Sequence, residues 1–253
     1  MRFIVQTNQE IAPSVYRIRL LGDTRGITRP GQFAQIAVPG FFLRRPISVC
    51  DWQPGENGVL DIIVKAVGHG TEALCGLSPG TALDALTGLG NGYDPGNPED
   101  KQGDKAPLLV GGGAGIPPLY GLCKRLLKLG KKPAVLLGFN TEREVFLRQE
   151  FEELGVDCGL FTLDGSTGRK GFVTDGMREY EGRAGYVFTC GPEPMLKAVY
   201  ALCESMGMDG QFSFEERMAC GFGVCMGCSC KTRDGSKRIC KDGPVLREEE
   251  IVW

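Results

Sequence analysis

The strongest constraint in this chain is a dense run of cysteines near its end. Cys220, Cys225 and Cys228 follow the order Cys-x4-Cys-x2-Cys, and Cys240 follows after eleven intervening residues. This is the plant-type ligand spacing of a 2Fe–2S cluster, in which each iron takes two thiolates besides the bridging sulfides. Gly221, Gly223 and Gly227 punctuate the run and permit a loop to wrap closely around such a centre. Phe222, Val224 and Met226 alternate with them and are expected to shield it from water. Zinc is the alternative, but it prefers two Cys-x2-Cys knuckles and only Cys225/Cys228 makes one. A 4Fe–4S run would need Cys-x2-Cys-x2-Cys, and the sequence has none. Cys230 lies outside the spacing. A cluster carries electrons singly and makes no bonds itself, so the rest of the chain must hold their source or their sink.

Length and charge narrow the setting. The 253 residues suit two domains at roughly 100–200 residues each. A net charge of −2, with both signs interspersed, offers no basic face to nucleic acid or anionic lipid. Eleven cysteines is an odd number, and the start Met1-Arg2-Phe3-Ile4-Val5-Gln6 turns polar too soon for a secretory leader. The expectation is a reducing cytoplasm with free or metal-bound thiols rather than a disulfide framework. The uncharged run 106–123 approaches membrane-spanning length, but Pro107, Pro117, Pro118 and five glycines forbid one lipid-exposed helix.

The two halves of the chain follow different periodicities. In the first, residues 15–21 alternate as a half-buried strand does, and 32–38, 47–52 and 59–67 are further strands bounded by turn residues. Glu56-Asn57-Gly58 is a hairpin signal, since Asn-Gly accepts positive φ at both turn positions. Short strands at this spacing, with one helix at 71–77, predict a small antiparallel barrel ending in the Gly/Pro/Asn-rich stretch 88–98. In the second half an apolar strand at 108–110 runs into Gly111-Gly112-Gly113-Ala114-Gly115 and a helix over 116–129. Strands at 134–139, 159–163 and 186–190 alternate with helices at 144–154 and 195–206. That alternation predicts βαβ crossovers and a parallel sheet covered on both faces.

Three stretches are candidate binding elements. Leu43-Arg44-Arg45-Pro46-Ile47-Ser48 is a solvated strand edge by residue type alone, and Gly68-His69-Gly70-Thr71 is a turn. Together they offer a forked cation and backbone N–H groups to one pyrophosphate. The glycine loop opening helix 116–129 is either a tight turn or an anion site at a helix N-terminus. Cys190 is either a small buried hydrophobe or part of a site. No Ser-His-Asp or paired-carboxylate constellation stands out, and His69, the only histidine, is assigned no role.

These stretches carry a family resemblance. Arg45-Pro46-Ile47-Ser48 resembles the R-x-x-S flavin signature of ferredoxin-reductase-like flavoproteins. The resemblance implies Arg45 on the FAD pyrophosphate, with Pro46 and Ile47 beside it and Ser48 near the reactive edge of the isoalloxazine. Gly70 and Thr71 would make a second phosphate contact, and Ile63, Val64 and Lys65 would run along the flavin. The loop from Gly113 to Pro118 resembles that family's G-x-G-x-x-P, implying a nicotinamide dinucleotide at Gly112, Gly113 and Gly115. Cys190-Gly191-Pro192-Glu193-Pro194-Met195 resembles its C-G-P-x-x-M segment. That implies a catalytic position for Cys190 beside the nicotinamide and flavin, with Gly191, Pro192 and Met195 shaping the turn. Gly138-Phe139-Asn140 lacks an immediately following basic residue, so NAD is expected; Arg143 keeps NADP open.

The order of parts resembles the electron-transfer subunits of heteromeric bacterial dihydroorotate dehydrogenases. Glu216-Arg217-Met218-Ala219-Cys220-Gly221 and Cys240-Lys241-Asp242-Gly243-Pro244-Val245 carry that likeness. Arg44-Arg45-Pro46-Ile47-Ser48 and Gly88-Leu89-Gly90-Asn91-Gly92-Tyr93 agree with it; Leu89 and the eleven-residue cysteine gap depart from it. The implied architecture is an FAD-binding β-barrel over 1–98, an NAD-binding α/β domain over 99–210 and a short 2Fe–2S hairpin segment over 211–253. The implied partner is an FMN-containing dihydroorotate dehydrogenase catalytic subunit, in a heterotetramer of two of each, working in pyrimidine biosynthesis. Electrons would pass from it through the cluster and FAD to NAD+, entering near residues 226–230. The alternatives are an NAD(P)H-dependent ferredoxin reductase or sulfide dehydrogenase subunit and, more distantly, a non-catalytic zinc- and nucleotide-binding regulator.

Overall fold

The structure, a computed structural model, describes residues 1–96 and 105–253. Strands β1 (Arg2–Ala12), β2 (Val15–Gly22), β3 (Phe33–Ile36), β4 (Arg45–Gln53), β5 (Gly58–Lys65) and β6 (Ala82–Leu89) come first. They close into an antiparallel barrel in the order β1-β2-β5-β4-β3-β6, with the short helix α1 (His69–Cys75) between β5 and β6. Ile18 and Leu20 point into its core, with Tyr16 packed against it, while Arg19 between them is exposed, the alternation expected of a half-buried strand. The Asn57-Gly58 turn joins β4 to β5 with Gln53 opposite Val59.

Beyond the barrel come β7 (Ala106–Gly112), α2 (Ile116–Lys128), β8 (Ala134–Phe139), α3 (Arg148–Glu153), β9 (Asp157–Thr162) and β10 (Arg169–Lys170). Then follow α4 (Val173–Met177), β11 (Ala184–Cys190), α5 (Glu193–Met206) and β12 (Asp209–Ser213). The strands form one sheet, β10-β9-β8-β7-β11-β12, in which every pair is parallel. Its two faces bury separate cores. Leu108, Val110 and Leu136 share one with Met177 and Val199; Leu109, Val135 and Leu137 share the other with Leu119, Leu122 and Phe151. Strands apolar on both faces are what helices on both sides require.

The last segment is more integrated than a hairpin appendage. β13 (Ser229–Thr232) and β14 (Gly235–Arg238) form the hairpin, but β15 (Val245–Arg247) joins the main sheet antiparallel to β12. The expected boundary at 210/211 falls inside β12, and the one at 98/99 lies outside the described residues. The helix expected over 144–154 begins only at Arg148, because Phe146 and Leu147 fold into the core and Leu147 takes a φ of 61°. The barrel docks on the sheet through α2: a Cβ at Gly121 would lie 2.7 Å from the Cys50 carbonyl oxygen, and Lys124 pairs with Asp51. Arg17 on β2 adds an ion pair of 3.0 Å to Glu150 of α3.

Candidate redox site

The cysteine loop leaves β12 and returns through the β13–β14 hairpin. Cys228 and Cys240 are buried, Cys220 is half-buried and Cys225 is exposed. Their thiols fall into two pairs. The Cys225 thiol lies close enough to favour the Cys220 thiolate, and the Cys228 thiol close enough to disfavour that of Cys240. The Val224 N–H donates to Cys220 Sγ at 3.4 Å and the Cys240 N–H donates to Cys228 Sγ at 3.4 Å. Desolvation raises the Cys220 thiol, but the N–H groups of Cys225, Phe222 and Val224 outweigh it and hold it at about 6. Desolvation, then the Cys228 thiol, pushes Cys240 up to about 12. No three or more His, Cys, Asp or Glu side chains among the described residues are gathered tightly enough for one ion. Two adjacent thiol pairs fit a two-iron centre, which takes one pair per iron. Arg238 secures the loop, donating to the Gly223 carbonyl at 2.8 Å while pairing with Asp242 at 2.8 Å. Phe222, Val224 and Met226 are 51%, 73% and 53% exposed in this chain. Cys230 is half-buried on β13 and lines the neighbouring cleft, and desolvation raises its thiol.

Beside this loop opens a cleft of about 1360 Å³ that runs between barrel and sheet. Arg45, Pro46, Gly70 and Thr71 line one wall, Gly191 and Pro192 the other, with Cys230 of the hairpin between. The two arginines, alike in sequence, separate here. Arg44 is held by the Asp84 carboxylate and donates to the Asp84 carbonyl at 3.0 Å. Arg45 has no carboxylate partner among the described ion pairs; its guanidinium lies 4.8 Å from the Phe41 ring centre and donates to the Leu43 carbonyl. A Cβ at Gly70 would lie 2.0 Å from Arg45 Nε, so only glycine lets the two expected pyrophosphate contacts meet. Thr71 Oγ1 accepts from the Val67 and Gly68 N–H groups at 3.0 and 3.2 Å, which spends its hydroxyl on shaping the turn. Ile47 and Ser48 continue β4 opposite Ala34 and Phe33. On β5 Val64 points into the barrel, while Ile63 and Lys65 reach a small cavity shared with Gly113 and Ala114. The structure thus brings β5 to the glycine loop rather than to the main cleft.

The glycine loop and the Cys190 turn interlock. A Cβ would lie 2.4 Å from the Cys190 carbonyl carbon at Gly115, and 2.6 Å from Met195 Sδ at Gly112. Gly191 is equally close to Met195, and Pro192 caps α5. The Cys190 thiol is enclosed by Ser213 and Tyr93, and desolvation pushes it up to about 12, so it is a neutral contact group at ordinary pH. Glu144 follows the end of β8, accepts from Asn140 Nδ2 at 2.9 Å and lines the cavity with Gly113. A carboxylate in this position accepts from ribose hydroxyls and repels a 2′-phosphate. Arg143 is exposed.

Sequence reasoning missed the clasp that joins these parts. Asn91 Nδ2 donates to the Val245 carbonyl at 2.7 Å, the Val245 N–H returns to Asn91 Oδ1 at 3.1 Å, and Tyr93 Oη donates to the Thr189 carbonyl at 2.8 Å. The run Gly88–Tyr93 was legible as a turn-rich stretch and as part of the family resemblance, but not as a clasp, because its partners lie about a hundred residues or more away.

Similarity to known proteins follows the same division. The iron–sulfur cluster binding domain of dihydroorotate dehydrogenase B matches residues 215–252, and an oxidoreductase NAD-binding domain matches 109–201. The dihydroorotate dehydrogenase B (NAD(+)) electron transfer subunit of Fusobacterium nucleatum is 40% identical over 98% of this chain and 96% of its own length. That of Bacillus velezensis is 41% identical over 98% and 97%. The chain belongs to this family. The match to the iron–sulfur domain of this electron-transfer family encloses Cys220, Cys225, Cys228 and Cys240, and the NAD-binding match encloses the glycine loop and Cys190. A solved NADH-dependent reduced ferredoxin-NADP oxidoreductase, studied for flavin-based electron bifurcation, superposes with a TM-score of 0.87. It is 29% identical and covers 99% of this chain and 89% of that one. A ferredoxin reductase of carbazole 1,9a-dioxygenase, 21% identical over 82% of this chain and 66% of that one with a TM-score of 0.68, shares the fold. No helix among the described residues is long and apolar enough to cross a membrane, and all eleven cysteines are free.

Proposed function

We propose that this chain is the electron-transfer half of a dihydroorotate-oxidising enzyme of pyrimidine biosynthesis, taking electrons from an FMN-containing catalytic subunit and delivering them to NAD+. Its three parts are an FAD barrel, an NAD domain and a 2Fe–2S segment, assembled with the partner as two copies of each in a reducing cytoplasm. When bound, the cluster relays single electrons and the flavin collects two of them for hydride transfer. Cys220 with Cys225, and Cys228 with Cys240, would hold the irons of such a cluster. Arg45 over Gly70 grips the flavin pyrophosphate, and Pro46, Ile47 and Ser48 lie along β4 beside it. Gly112, Gly113 and Gly115 leave room for the dinucleotide, Glu144 takes its ribose hydroxyls and thereby selects NAD, and Cys190 packs at the nicotinamide end as a neutral thiol. The exposed residues Phe222, Val224 and Met226 face the partner, whose docking dries the cluster.

The observation that carries this reading is the convergence of the cysteine hairpin, the Arg45–Gly70 edge and the Gly191 turn on one cleft. Reconstitution tests it. The loaded chain alone reduces an artificial dye with NADH, and dihydroorotate reduces NAD+ only after the FMN subunit is added. Dihydroorotate oxidation by the chain unaided would overturn the division of roles. A second reading, an NAD(P)H-dependent ferredoxin reductase subunit, is favoured by the full-length superposition at TM-score 0.87. It predicts electron exchange with ferredoxin and no complex with the FMN subunit.

A further inference from the structure

Gln35 is out of place for a barrel strand unless something besides this chain's described residues receives it. Its side chain is fully buried, and neither end of its amide has a hydrogen-bond partner. A buried, unpaired amide destabilises a fold, and an apolar residue of equal length would pack there without that cost. The residue lies on β3 opposite Pro46, the strand position that lines the flavin cleft. Ala34 and Ile36 point into the barrel core, so Phe33 and Gln35 point outward, and Phe33 belongs to the core that contains Cys228 and Cys240. The end of Gln35 meets the cysteine loop. A Cβ at Gly221 would lie 2.6 Å from Gln35 Nε2, and Gly221, at a φ of 79°, directly follows Cys220.

We infer that Gln35 donates a hydrogen bond from the barrel to a sulfur of the iron–sulfur centre at Cys220, and so sets the potential at which the relay accepts electrons. Thiolate and sulfide are acceptors only, which is the partner a free amide N–H lacks. Hydrogen bonds to the sulfurs stabilise the more negative, reduced cluster and raise its potential. Gln35 is a positioning and tuning residue: it takes no part in bond making.

The inference rests on the cluster assignment above. Its test is a redox titration of Gln35→Met and Gln35→Glu in the complex with the FMN subunit, following the electron paramagnetic resonance signal of the reduced cluster. At the parent's midpoint, Gln35→Met should shift the reduced-to-oxidised ratio about tenfold toward oxidised, a midpoint about 59 mV lower for one electron. Gln35→Glu, an acceptor of the same shape, should shift it further, and the flavin midpoint should stay put. An unchanged cluster midpoint, or a shift confined to the flavin, would overturn the role. Thermal melting of the iron-free chain adds a readout: Gln35→Met should melt no lower than the parent, and a large loss there would assign Gln35 to packing alone. A parent chain without iron and acid-labile sulfide would sink the cluster assignment; a loaded parent with an insensitive potential sinks only the role of Gln35.

Discussion

The parallel sheet and the cysteine loop place the same side chain in opposite surroundings. In the sheet domain Cys123 and Cys203 are buried in apolar cores and Cys190 is closed in beside Ser213 and Tyr93, and desolvation pushes all three thiols up to about 12. In the loop, backbone N–H groups gather round Cys220 and hold its thiol at about 6. The sheet domain owes its shape to cores on both faces that need no ligand, and its candidate contacts are mostly backbone, exposed by glycines. The loop spends its glycines and its exposed Phe222, Val224 and Met226 on a path that closes around something else. Side-chain deletions should therefore be all-or-none in the loop and graded elsewhere.

The largest effect expected is at the loop. Cys228→Ser should abolish the visible bands beyond the flavin's and reduce dihydroorotate-to-NAD+ transfer by about 100-fold or more, since even residues behind metal ligands are worth about 10–100-fold. NADH-dependent dye reduction through the flavin should survive, so its loss would show that the two regions do not separate.

On the barrel side the effect is intermediate and discriminates between neighbours. Arg45→Ala removes a charge-assisted contact of about 1.5–3 kcal/mol and should weaken FAD binding by about 10–100-fold in a flavin titration. Arg44→Ala removes only the surface pair with Asp84, worth about 0–1 kcal/mol, and should leave FAD affinity unchanged. Equal losses in both variants would return the pair to a solvated edge.

The smallest effect is on stability against pH. Folded Cys123, Cys190 and Cys203 keep their protons toward about 12, whereas unfolded thiols ionise near 9.0. Between these values the unfolded chain has lost protons that the folded chain retains, so stability is full below about pH 9 and declines as pH rises toward 12. The urea midpoint, measured under reductant, should fall from pH 8 to pH 10; a rising midpoint would contradict the burial of these thiols.

How much of this was legible in the sequence follows from range. Strand β2 was readable because it alternates, β3 to β5 because turn residues bound short apolar runs, and the parallel strands because both faces are apolar. β1 was not, since Gln6, Thr7, Asn8, Gln9 and Glu10 break the alternation along its outer half. β6 hides its period in alanine, threonine and glycine. The four cysteines were legible because ligand spacing is a local property, but their division into two pairs depends on the returning hairpin. Asn91 and Tyr93 stood in a run that matched the family resemblance but carried no sign of their contacts, and Gln35 and Glu144 gave no signal, because each acquires meaning from a partner elsewhere along the chain or on a neighbouring element. The exposure of Phe222, Val224 and Met226 depends on how the loop is laid on the surface, which their spacing alone does not carry.

The account turns on the two thiol pairs, and the direct measurement is metal and acid-labile sulfide content of the purified, anaerobically prepared chain. It predicts about two irons and two sulfides per chain. One zinc per chain with no labile sulfide would contradict it.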